Sequence, residues 1–378
     1  MAGIYLHIPF CKQACHYCDF HFSTNRSKQA DLVNALLTEL DLRHETLKDQ
    51  LVETIYFGGG TPSLLTTPEL GALITKIKNN FKVSNQAEIT LEANPDDLNE
   101  QMLREFHDLG VNRLSIGIQT FHDELLTFLN RAHTSKEAKN CVQIAQKVGI
   151  NNISIDLIYG IHGSNNDSFQ KDIDLALQLG VPHISAYCLT IEEKTAFGKW
   201  NKAGKLKEVE DIVAINQYEI LIKELGAANY EQYEISNFAR DKHYSKHNSN
   251  YWKQKNYLGV GPGAHSFNGS QRSYNISNNA KYINSLEKKS LPIEIETLST
   301  IDRVNEYFLT TLRTKWGVDL LYLKEELGFD LTPTQLDYFD NIKNKDWIDI
   351  VKNRITLTDK GKLFADEITL QLFISSDE

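Results

Sequence analysis

The chain has 378 residues and a mass of 43.1 kDa, which predicts roughly two to three domains at about 150 residues each. Hydrophobic residues make up 41% and charged residues 24%, so disorder, collagen and coiled coil are excluded as the main architecture. The net charge of −10 disfavours non-specific binding to nucleic acid, because the phosphate backbone repels an acidic protein.

Cysteine is the most informative residue type in the composition. The five cysteines are Cys11, Cys15, Cys18, Cys141 and Cys188. An odd number excludes a complete disulfide framework. No run approaches the roughly 20 apolar residues of a membrane helix, and the N-terminus lacks the regions of a secretory signal. We therefore expect a reduced cytoplasmic compartment, where clustered thiols usually bind metal or carry out redox chemistry.

Strand and helix patterns alternate from residue 4 to about residue 189. The strand patterns are short runs rich in β-branched or aromatic residues and bounded by turn signals. They are Ile4–Ile8, Thr54–Phe57, Glu88–Glu92, Arg113–Ile118, Asn152–Ile158 and His183–Leu189. The amphipathic helix patterns between them include Asp31–Lys48, Pro68–Phe81, Glu100–Leu109 and Ser135–Val148.

Glycines close four of the helix patterns, at Gly110, Gly149, Gly180 and Gly226. Glycine adopts the left-handed conformation that commonly ends a helix. The first three lead into a strand of the series, and Gly226 leads to a candidate strand at Tyr230–Ile235. Repeated strand–helix units predict a parallel sheet with right-handed crossovers. We therefore predict an α/β fold, a partial (β/α)6 barrel of the TIM type, with its site at the carboxyl ends of the strands.

The rest of the chain divides into two further regions. Residues 237–297 are rich in Asn, Ser, Tyr and Gly, so we interpret them as a connecting segment after a barrel domain of residues 1–236. In residues 298–378 the patterns predict three helices, a hairpin and a last helix. These are Ile301–Lys315, Leu320–Leu327, Thr334–Lys345, the hairpin Trp347–Val351 with Arg354–Leu357, and a helix from Asp359. We predict a small helical, winged-helix-like domain. Its acidic charge argues against a DNA-reading wing and favours a structural cap or a partner surface.

Cys11, Cys15 and Cys18 form a C-x3-C-x2-C pattern in the loop after the first predicted strand. Three interpretations fit thiols this close together. A structural zinc ion would need a fourth ligand. The nearby candidates for that ligand are His7, His16, Asp19 and His21. A redox pair of Cys15 and Cys18 would leave Cys11 unexplained, whereas a [4Fe–4S] cluster on three cysteines would leave one iron open to an outside ligand.

Longer strings around these positions resemble a known family. The cysteine spacing after strand one resembles that of the radical S-adenosylmethionine (SAM) superfamily. The strings Tyr5-Leu-His-Ile-Pro-Phe-Cys11 and Cys15-His-Tyr-Cys-Asp-Phe20 resemble its coproporphyrinogen-oxidase-like branch. The resemblance continues through Tyr56-Phe-Gly-Gly-Gly-Thr-Pro-Ser63, Leu91-Glu-Ala-Asn-Pro95, Ser115-Ile-Gly-Ile-Gln119, Asn130-Arg-Ala-His133 and Ile155-Asp-Leu-Ile-Tyr-Gly160.

The resemblance implies a [4Fe–4S] cluster on the three loop cysteines and SAM bound to its open iron. It also implies that the glycine run Gly58–Gly60 contacts the SAM amine, since backbone approaches closely where no Cβ intervenes. From the residues alone, a tight turn and structural hydrogen bonds fit these positions equally well. The implied SAM contacts are Tyr5, Tyr17, Gly59, Gly60, Thr61, Glu92, Gln119, Arg131 and Asp156.

Two features separate the members of this branch. The oxygen-independent coproporphyrinogen III oxidases carry one more cysteine two residues after the third, and here that position is Phe20. The string His247-Asn-Ser-Asn-Tyr-Trp252 resembles the H-N-x-x-Y-W pattern of a heme-chaperone subfamily. Imidazole is a common heme ligand, so His247 is the first candidate heme contact and Tyr251 the second. His243 and His265 stay open as alternatives.

The two remaining cysteines, Cys141 and Cys188, lie in a helix pattern and a strand pattern. We predict that both are buried apolar residues.

The resemblance therefore implies a heme chaperone of radical SAM fold that delivers heme to acceptor proteins. An alternative is an oxygen-independent coproporphyrinogen III oxidase or another radical enzyme acting on a tetrapyrrole. A tRNA-modifying radical enzyme is disfavoured by the acidic charge. The expected partners are heme-accepting proteins and no nucleic acid. A homodimer and peripheral contact with the cytoplasmic membrane are left open.

Overall fold

The computed structural model describes residues 1–374, and its centre is a sheet of twelve strands. Seven neighbouring strands of this sheet run parallel. In spatial order they are Asn256–Val260 (β9), Ala2–Ile8 (β1), Val52–Gly59 (β2), Val83–Ala93 (β3), Arg113–Gln119 (β4), Asn152–Tyr159 (β5) and His183–Cys188 (β6). The six predicted strands are thus present as β1 to β6, and the predicted α/β class is confirmed.

Antiparallel strands extend both edges of the parallel core. Beyond β9 lie His265–Phe267 (β10), Gln271–Asn275 (β11) and Ile293–Thr297 (β12), and beyond β6 lie Asn237–Ala239 (β8) and Glu231–Glu234 (β7). The domain boundary expected between residues 236 and 237 therefore falls inside the β7–β8 pair. The segment expected to be a connection supplies β9, a direct neighbour of β1. Its strands are at most five residues long, which leaves too few residues for a clear hydrophobic pattern.

Ten helices accompany this sheet in the described residues. They are Gln29–Leu42 (α1), Thr67–Asn80 (α2), Glu100–Asp108 (α3), Asp123–Phe128 (α4), Ser135–Lys147 (α5), Asn166–Leu179 (α6), Ala196–Lys202 (α7), Asp211–Ala227 (α8), Lys246–Trp252 (α9) and Asn279–Glu287 (α10). Reciprocal capping boxes start α2, α5 and α6, which fixes where these helices begin.

Alternate side chains of each parallel strand face the apolar core and the interior cavity. Ile4, Leu6 and Ile8 of β1 are fully buried in the apolar core, whereas the intervening Tyr5 lines the interior cavity. Successive side chains of a strand point to opposite faces, so every parallel strand presents one row to the helices and one row to the interior. This arrangement puts polar side chains inside the barrel without breaking the outer core.

The predicted left-handed glycines are confirmed at three positions and wrong at one. Gly110, Gly149 and Gly180 have φ angles of 99°, 99° and 66°. Gly226 instead lies inside α8, and the left-handed residue after that helix is Asn229 with φ of 62°. Asparagine tolerates this conformation better than other residues with a Cβ, so it replaces glycine as the helix terminator.

The C-terminal region forms a second core. Its elements are Thr300–Thr311 (α11), Val318–Asp319 (β13), Leu320–Glu325 (α12), Pro333–Asn344 (α13), Ile348–Val351 (β14), Arg354–Leu357 (β15), Asp359–Lys362 (α14) and Ala365–Leu372 (α15). The three strands pair antiparallel in the order β13–β15–β14, and the apolar helix faces pack into a cluster of their own. The predicted hairpin is present and turns at Lys352, whose φ is 57°. The predicted domain ran to residue 378, and its last four residues lie outside the described range. No helix within residues 1–374 has the length and apolar character to cross a membrane.

Candidate functional site

One cavity of about 700 Å³ gathers all the predicted site residues. It opens at the carboxyl ends of the parallel strands and continues inward between the interior side chains. The predicted residues in its lining are Tyr5, Cys11, Cys15, Tyr17, Cys18, Gly59, Gly60, Thr61, Glu92, Gln119, Arg131, Asp156, His247 and Tyr251. Strings that are up to 246 residues apart in the chain therefore meet at a single site.

Backbone hydrogen bonds hold the cysteine loop at the cavity mouth. The Cys11 amide donates to the Ser23 carbonyl at 3.1 Å, and the Thr61 amide donates to the Phe10 carbonyl at 2.7 Å. Further along, the His16 amide donates to the Leu129 carbonyl at 3.1 Å. The loop is thus tied to the ends of β1 and β2 and to the turn after α4, which fixes the three thiols relative to the barrel.

Each of two thiols faces a hydrogen-bond donor. Thr61 Oγ1 lies 3.5 Å from Cys11 Sγ, and Arg131 Nη1 lies 3.3 Å from Cys15 Sγ. Burial raises the pKa of the Cys11 thiol and raises that of Cys18 to about 11. A bound metal centre deprotonates a thiol outright, and donors to sulfur stabilise the resulting thiolate. Three cysteines, with a guanidinium and a hydroxyl beside two of them, fit the soft, anionic ligation of an iron–sulfur cluster.

A single zinc ion fits this loop less well. Within residues 1–374, no group of three or more His, Cys, Asp or Glu side chains is arranged to hold one metal ion. Two of the expected fourth ligands are engaged elsewhere. His7 accepts from Tyr5 Oη at 3.0 Å and donates to the His21 carbonyl at 2.9 Å, and the His21 ring bonds Asn279 Oδ1 at 2.7 Å. Zinc needs four ligands about 2.0–2.3 Å from one point, and the described loop does not preform that arrangement.

The glycine run after β2 has no room for side chains. Gly59 has φ of 108°, and a Cβ there would lie 2.5 Å from the His7 ring. A Cβ on Gly60 would lie 2.7 Å from the Phe10 carbonyl oxygen. These contacts require glycine for the turn itself, whereas the position of Gly59 and Gly60 in the cavity wall exposes their backbone to a ligand.

Two carboxyl groups that line the cavity have raised pKa values. Glu92 accepts from Tyr56 Oη at 2.7 Å and from the Gly59 amide at 3.0 Å. Burial raises the pKa of Glu92 to about 7 and that of Asp156 to about 6. Desolvation disfavours the charged form of an acid. A cationic or hydroxyl-bearing ligand would therefore stabilise the carboxylate form of both groups.

Arg131 connects β4 to the cysteine loop. Besides Cys15, its guanidinium donates to Asn94 Oδ1 at 2.5 Å and to the Gly117 carbonyl at 2.7 Å. Gln119 ends β4 with φ of 72°, a left-handed conformation uncommon outside glycine. Held strain of this kind is frequent at ligand sites. Arg131 and Gln119 thus shape the cavity wall nearest the loop.

His247 and Tyr251 lie at the opposite, amino-terminal end of the cavity. His247 is in α9 rather than in a loop, and its side chain is 1% exposed beside Gly3 and Thr54 at the start of β1 and β2. Thr54 Oγ1 and Tyr251 Oη each lie 2.8 Å from a different ring nitrogen. Burial lowers the pKa of His247 to about 3. Both nitrogens are therefore occupied in a neutral ring.

The alternative histidines occupy the surface. His243 and His265 are both exposed, and neither lines the cavity. Of the two other cysteines, Cys141 is buried as predicted, but the prediction for Cys188 is wrong. Cys188 is the last residue of β6, where the strand leaves the core, so its side chain is exposed in the cavity wall.

Sequence reasoning missed a polar layer inside the barrel. Neighbouring strands place Ser115 beside Ser154 and Asp156 beside Ser185. These residues line the cavity together with Asn94, Arg113 and Tyr187. The signal lies in β4, where Arg113, Ser115 and Gln119 alternate with apolar residues, but the same alternation also fits a strand with one solvent-exposed face. Polar residues on the strand face that points away from the helices indicate an interior that can bind a ligand.

The fold and the three-cysteine cavity define the class of protein. The family model for the radical SAM superfamily matches residues 5–176, so the chain carries a radical SAM domain. The structure titled coproporphyrinogen III oxidase (HemN) from Escherichia coli superposes with a TM-score of 0.86, covering 98% of this chain and 90% of that one at 20% identity. That likeness shows the shared fold.

Curated relatives define the family more narrowly. The chain is 34% identical to the heme chaperone HemW of Bacillus subtilis, over 97% of this chain and 98% of the relative. It is 33% identical to that of Mycobacterium tuberculosis over 98% and 94%, and 37% identical to that of Escherichia coli over 70% and 69%. The chain belongs to the HemW family.

Proposed function

We propose that this chain is a heme chaperone that binds heme and transfers it to acceptor proteins. The observation that carries the proposal is the near full-length similarity to relatives named heme chaperone HemW. Phe20 supports it from the site: this residue is 68% exposed at the cavity mouth, at the position of the further cysteine in the oxidases. The partners of this proposal are heme-accepting proteins, in a cytoplasmic location.

We also propose that the cavity holds a [4Fe–4S] cluster and SAM. The three loop cysteines would ligate the cluster, with Thr61 and Arg131 beside two of the sulfurs. The cluster supplies an open iron that the SAM amine and carboxylate can bind. The wall offers Glu92 and Asp156 as acceptors for an ammonium or ribose hydroxyl, and the Gly59–Gly60 backbone for close approach. Tyr5, Tyr17, Gln119 and Arg131 complete the proposed SAM contacts.

Cysteine replacement tests the cluster. Cys18→Ser should abolish the iron–sulfur absorption of anaerobically reconstituted protein, because two thiolates cannot hold the cluster. Cys188→Ser is the matched control, since Cys188 lines the same cavity but lies outside the loop, and it should keep the full absorption. Equal cluster content in both variants would contradict the assignment of the three ligands.

We include His247 and Tyr251 in this proposal as the heme contacts. Thr54 or Tyr251 must release an imidazole nitrogen before His247 can bind iron. Once a nitrogen is released, His247→Ala removes the iron ligand and Tyr251→Phe removes the hydroxyl contact, so each variant should weaken heme binding. Heme spectra that are the same in wild type and both variants would exclude the assignment.

Heme binding itself is tested by titrating the reconstituted protein with heme and then adding an apo-hemoprotein. Saturable binding followed by transfer supports a chaperone. The alternative, an oxygen-independent coproporphyrinogen III oxidase, predicts anaerobic, SAM-dependent decarboxylation of coproporphyrinogen III. Because the chain shares the fold of HemN, this assay is needed to distinguish the two functions.

A further inference from the structure

The inner end of the main cavity carries a positive charge that the proposed SAM contacts do not include. Arg113 begins β4 and Gln119 ends it, roughly 20 Å further along the strand at about 3.3 Å per residue. Arg113, Ser115 and Gln119 lie on one face of β4, and all of them line the cavity. Gln119 is therefore near the mouth, whereas Arg113 and Ser115 lie at the inner end, which we call the cavity floor.

Arg113 is buried without a counter-charge. It is 2% exposed, and within residues 1–374 its guanidinium makes one hydrogen bond, from Nη1 to Asn152 Oδ1 at 2.9 Å. No acidic side chain in that range forms a salt bridge with it. The residues opposite Arg113 on the neighbouring strands are Thr90 and Asn152, which are both uncharged. Because a buried cation without a partner is costly, an anion at this position would stabilise the folded protein.

One nitrogen of the guanidinium reaches the cavity. Nε of Arg113 is fully buried and has no hydrogen-bond partner. Nη2 has no partner within residues 1–374 either, yet it keeps some exposed surface. Since Arg113 as a whole is buried and lines the cavity, this exposed surface belongs to the cavity wall. The two N–H groups of Nη2 are therefore open to a ligand inside the barrel.

Ser115 adds a second free donor to the cavity floor. It follows Arg113 by two residues on the same face of β4, and its half-buried side chain lines the cavity. Its hydroxyl has no hydrogen-bond partner within residues 1–374, whereas the neighbouring Ser154 hydroxyl lies 2.7 Å from His183 Nδ1. A charged donor and a neutral donor thus converge on the same space, which is the arrangement that binds an oxyanion.

The surrounding charges favour a small monoanion over a phosphate. Glu92 is opposite Ser115 on β3, and Asp156 lies on β5 two residues after Ser154. Two carboxyl groups this near would repel a dianion, while the single charge of Arg113 balances a monoanion. A carboxylate has one negative charge and two oxygens, so it can accept from both free donors at once.

We propose that Arg113 and Ser115 form a carboxylate subsite at the cavity floor, which binds a small monocarboxylic acid. Arg113 Nη2 and the Ser115 hydroxyl donate to the two carboxylate oxygens, and the alkyl end of the acid points toward the mouth. The length of β4 separates this subsite from the proposed position of the SAM carboxylate at the cluster. Neither His247 nor Tyr251 takes part, so the subsite does not depend on the heme-chaperone function.

Saturation-transfer NMR of acetate with the cluster-loaded protein tests the subsite. Acetamide has nearly the same shape but no charge, and it should bind about tenfold or more weakly than acetate. Arg113→Gln should weaken acetate binding by about tenfold or more, and Ser115→Ala by about threefold to tenfold. Arg104→Gln is the matched control, because it removes the same charge from an exposed position of α3, and it should match wild type.

Retained cluster absorption shows that each variant is folded, and if Arg113→Gln loses it, Ser115→Ala decides. Acetate binding that neither variant weakens would indicate an adventitious ion only and overturn the subsite. Absence of acetate binding in wild type, or equal binding of acetamide, would overturn it as well. We expect acetate to bind in the presence of saturating SAM. If SAM instead displaces acetate, the cavity floor belongs to the SAM site and a separate subsite is excluded.

Discussion

The chemistry of the site depends on individual side chains held in an apolar shell. Glu92 and Asp156 are carboxyl groups with raised pKa values because the barrel interior solvates their charged forms poorly. The sequence motifs located both residues. They did not locate Arg113, Ser154 or Ser185, because a polar residue inside a strand pattern is equally compatible with a solvated face. Only the closure of the strands around a cavity distinguishes the two.

The pH dependence of stability follows from Glu92. Its folded pKa of about 7 lies above the usual value of 4.5, so the folded state binds the extra proton and stability falls as pH rises from about 4.5 to 7. Glu92→Gln removes this titration. We expect the variant to gain up to about 3 kcal/mol relative to wild type between pH 4.5 and 8 in the ligand-free, cluster-free protein.

Urea unfolding at several pH values measures this gain. The exposed Glu193→Gln variant is the control and should differ from wild type by less than about 0.5 kcal/mol throughout. A Glu92→Gln curve parallel to that of wild type would show that Glu92 does not titrate in this range.

At the scale of elements, the parallel strands β1 to β6 were predictable because each is a short run rich in β-branched or aromatic residues that alternates with a helix pattern. The strands β9 to β12 were not, since tertiary contacts rather than hydrophobic period hold them. Glu39 of α1 makes the main contact of this kind. Its buried carboxylate accepts from the Gly261 amide at 2.9 Å and from Tyr282 Oη at 2.5 Å, and pairs with Arg43 at 3.1 Å.

Removing that carboxylate should destabilise the protein strongly. Glu39→Ala leaves the buried Arg43 guanidinium without its counter-charge, which costs about 3–5 kcal/mol. Asp41→Ala, on the same helix, breaks an exposed pair with Lys76 and should cost less than about 1 kcal/mol. Denaturant midpoints compare the two variants, and equal midpoints would contradict the role given to Glu39.

At the scale of the whole molecule, a polar junction around Arg313 joins the barrel core to the C-terminal core. Arg313 donates from Nε to Glu234 Oε1 at 3.3 Å, and its carbonyl accepts from the Ile235 amide at 3.0 Å. The Lys315 amide donates to the Tyr233 carbonyl at 3.0 Å. The C-terminal elements were predictable from local pattern, but this junction was not, because it joins β7 to residues about 80 positions later.

The Arg313–Glu234 pair at this junction leads to a prediction about local unfolding of β7 and β8. Arg313→Ala leaves the buried Glu234 carboxylate without its cation, so we expect a loss of about 2–3 kcal/mol and faster amide exchange in β7 and β8. Asp366→Ala removes the exposed partner of the same arginine and should change exchange little. Unchanged exchange in Arg313→Ala would contradict the role given to the Arg313–Glu234 pair.

The central claim is that a radical SAM barrel with three cluster cysteines serves here as a heme carrier. Its most direct measurement is an anaerobic absorption titration of the reconstituted protein with heme. We predict saturable binding of one heme per chain while the iron–sulfur absorption persists. A protein that carries the full cluster and shows no saturable heme binding would contradict the account.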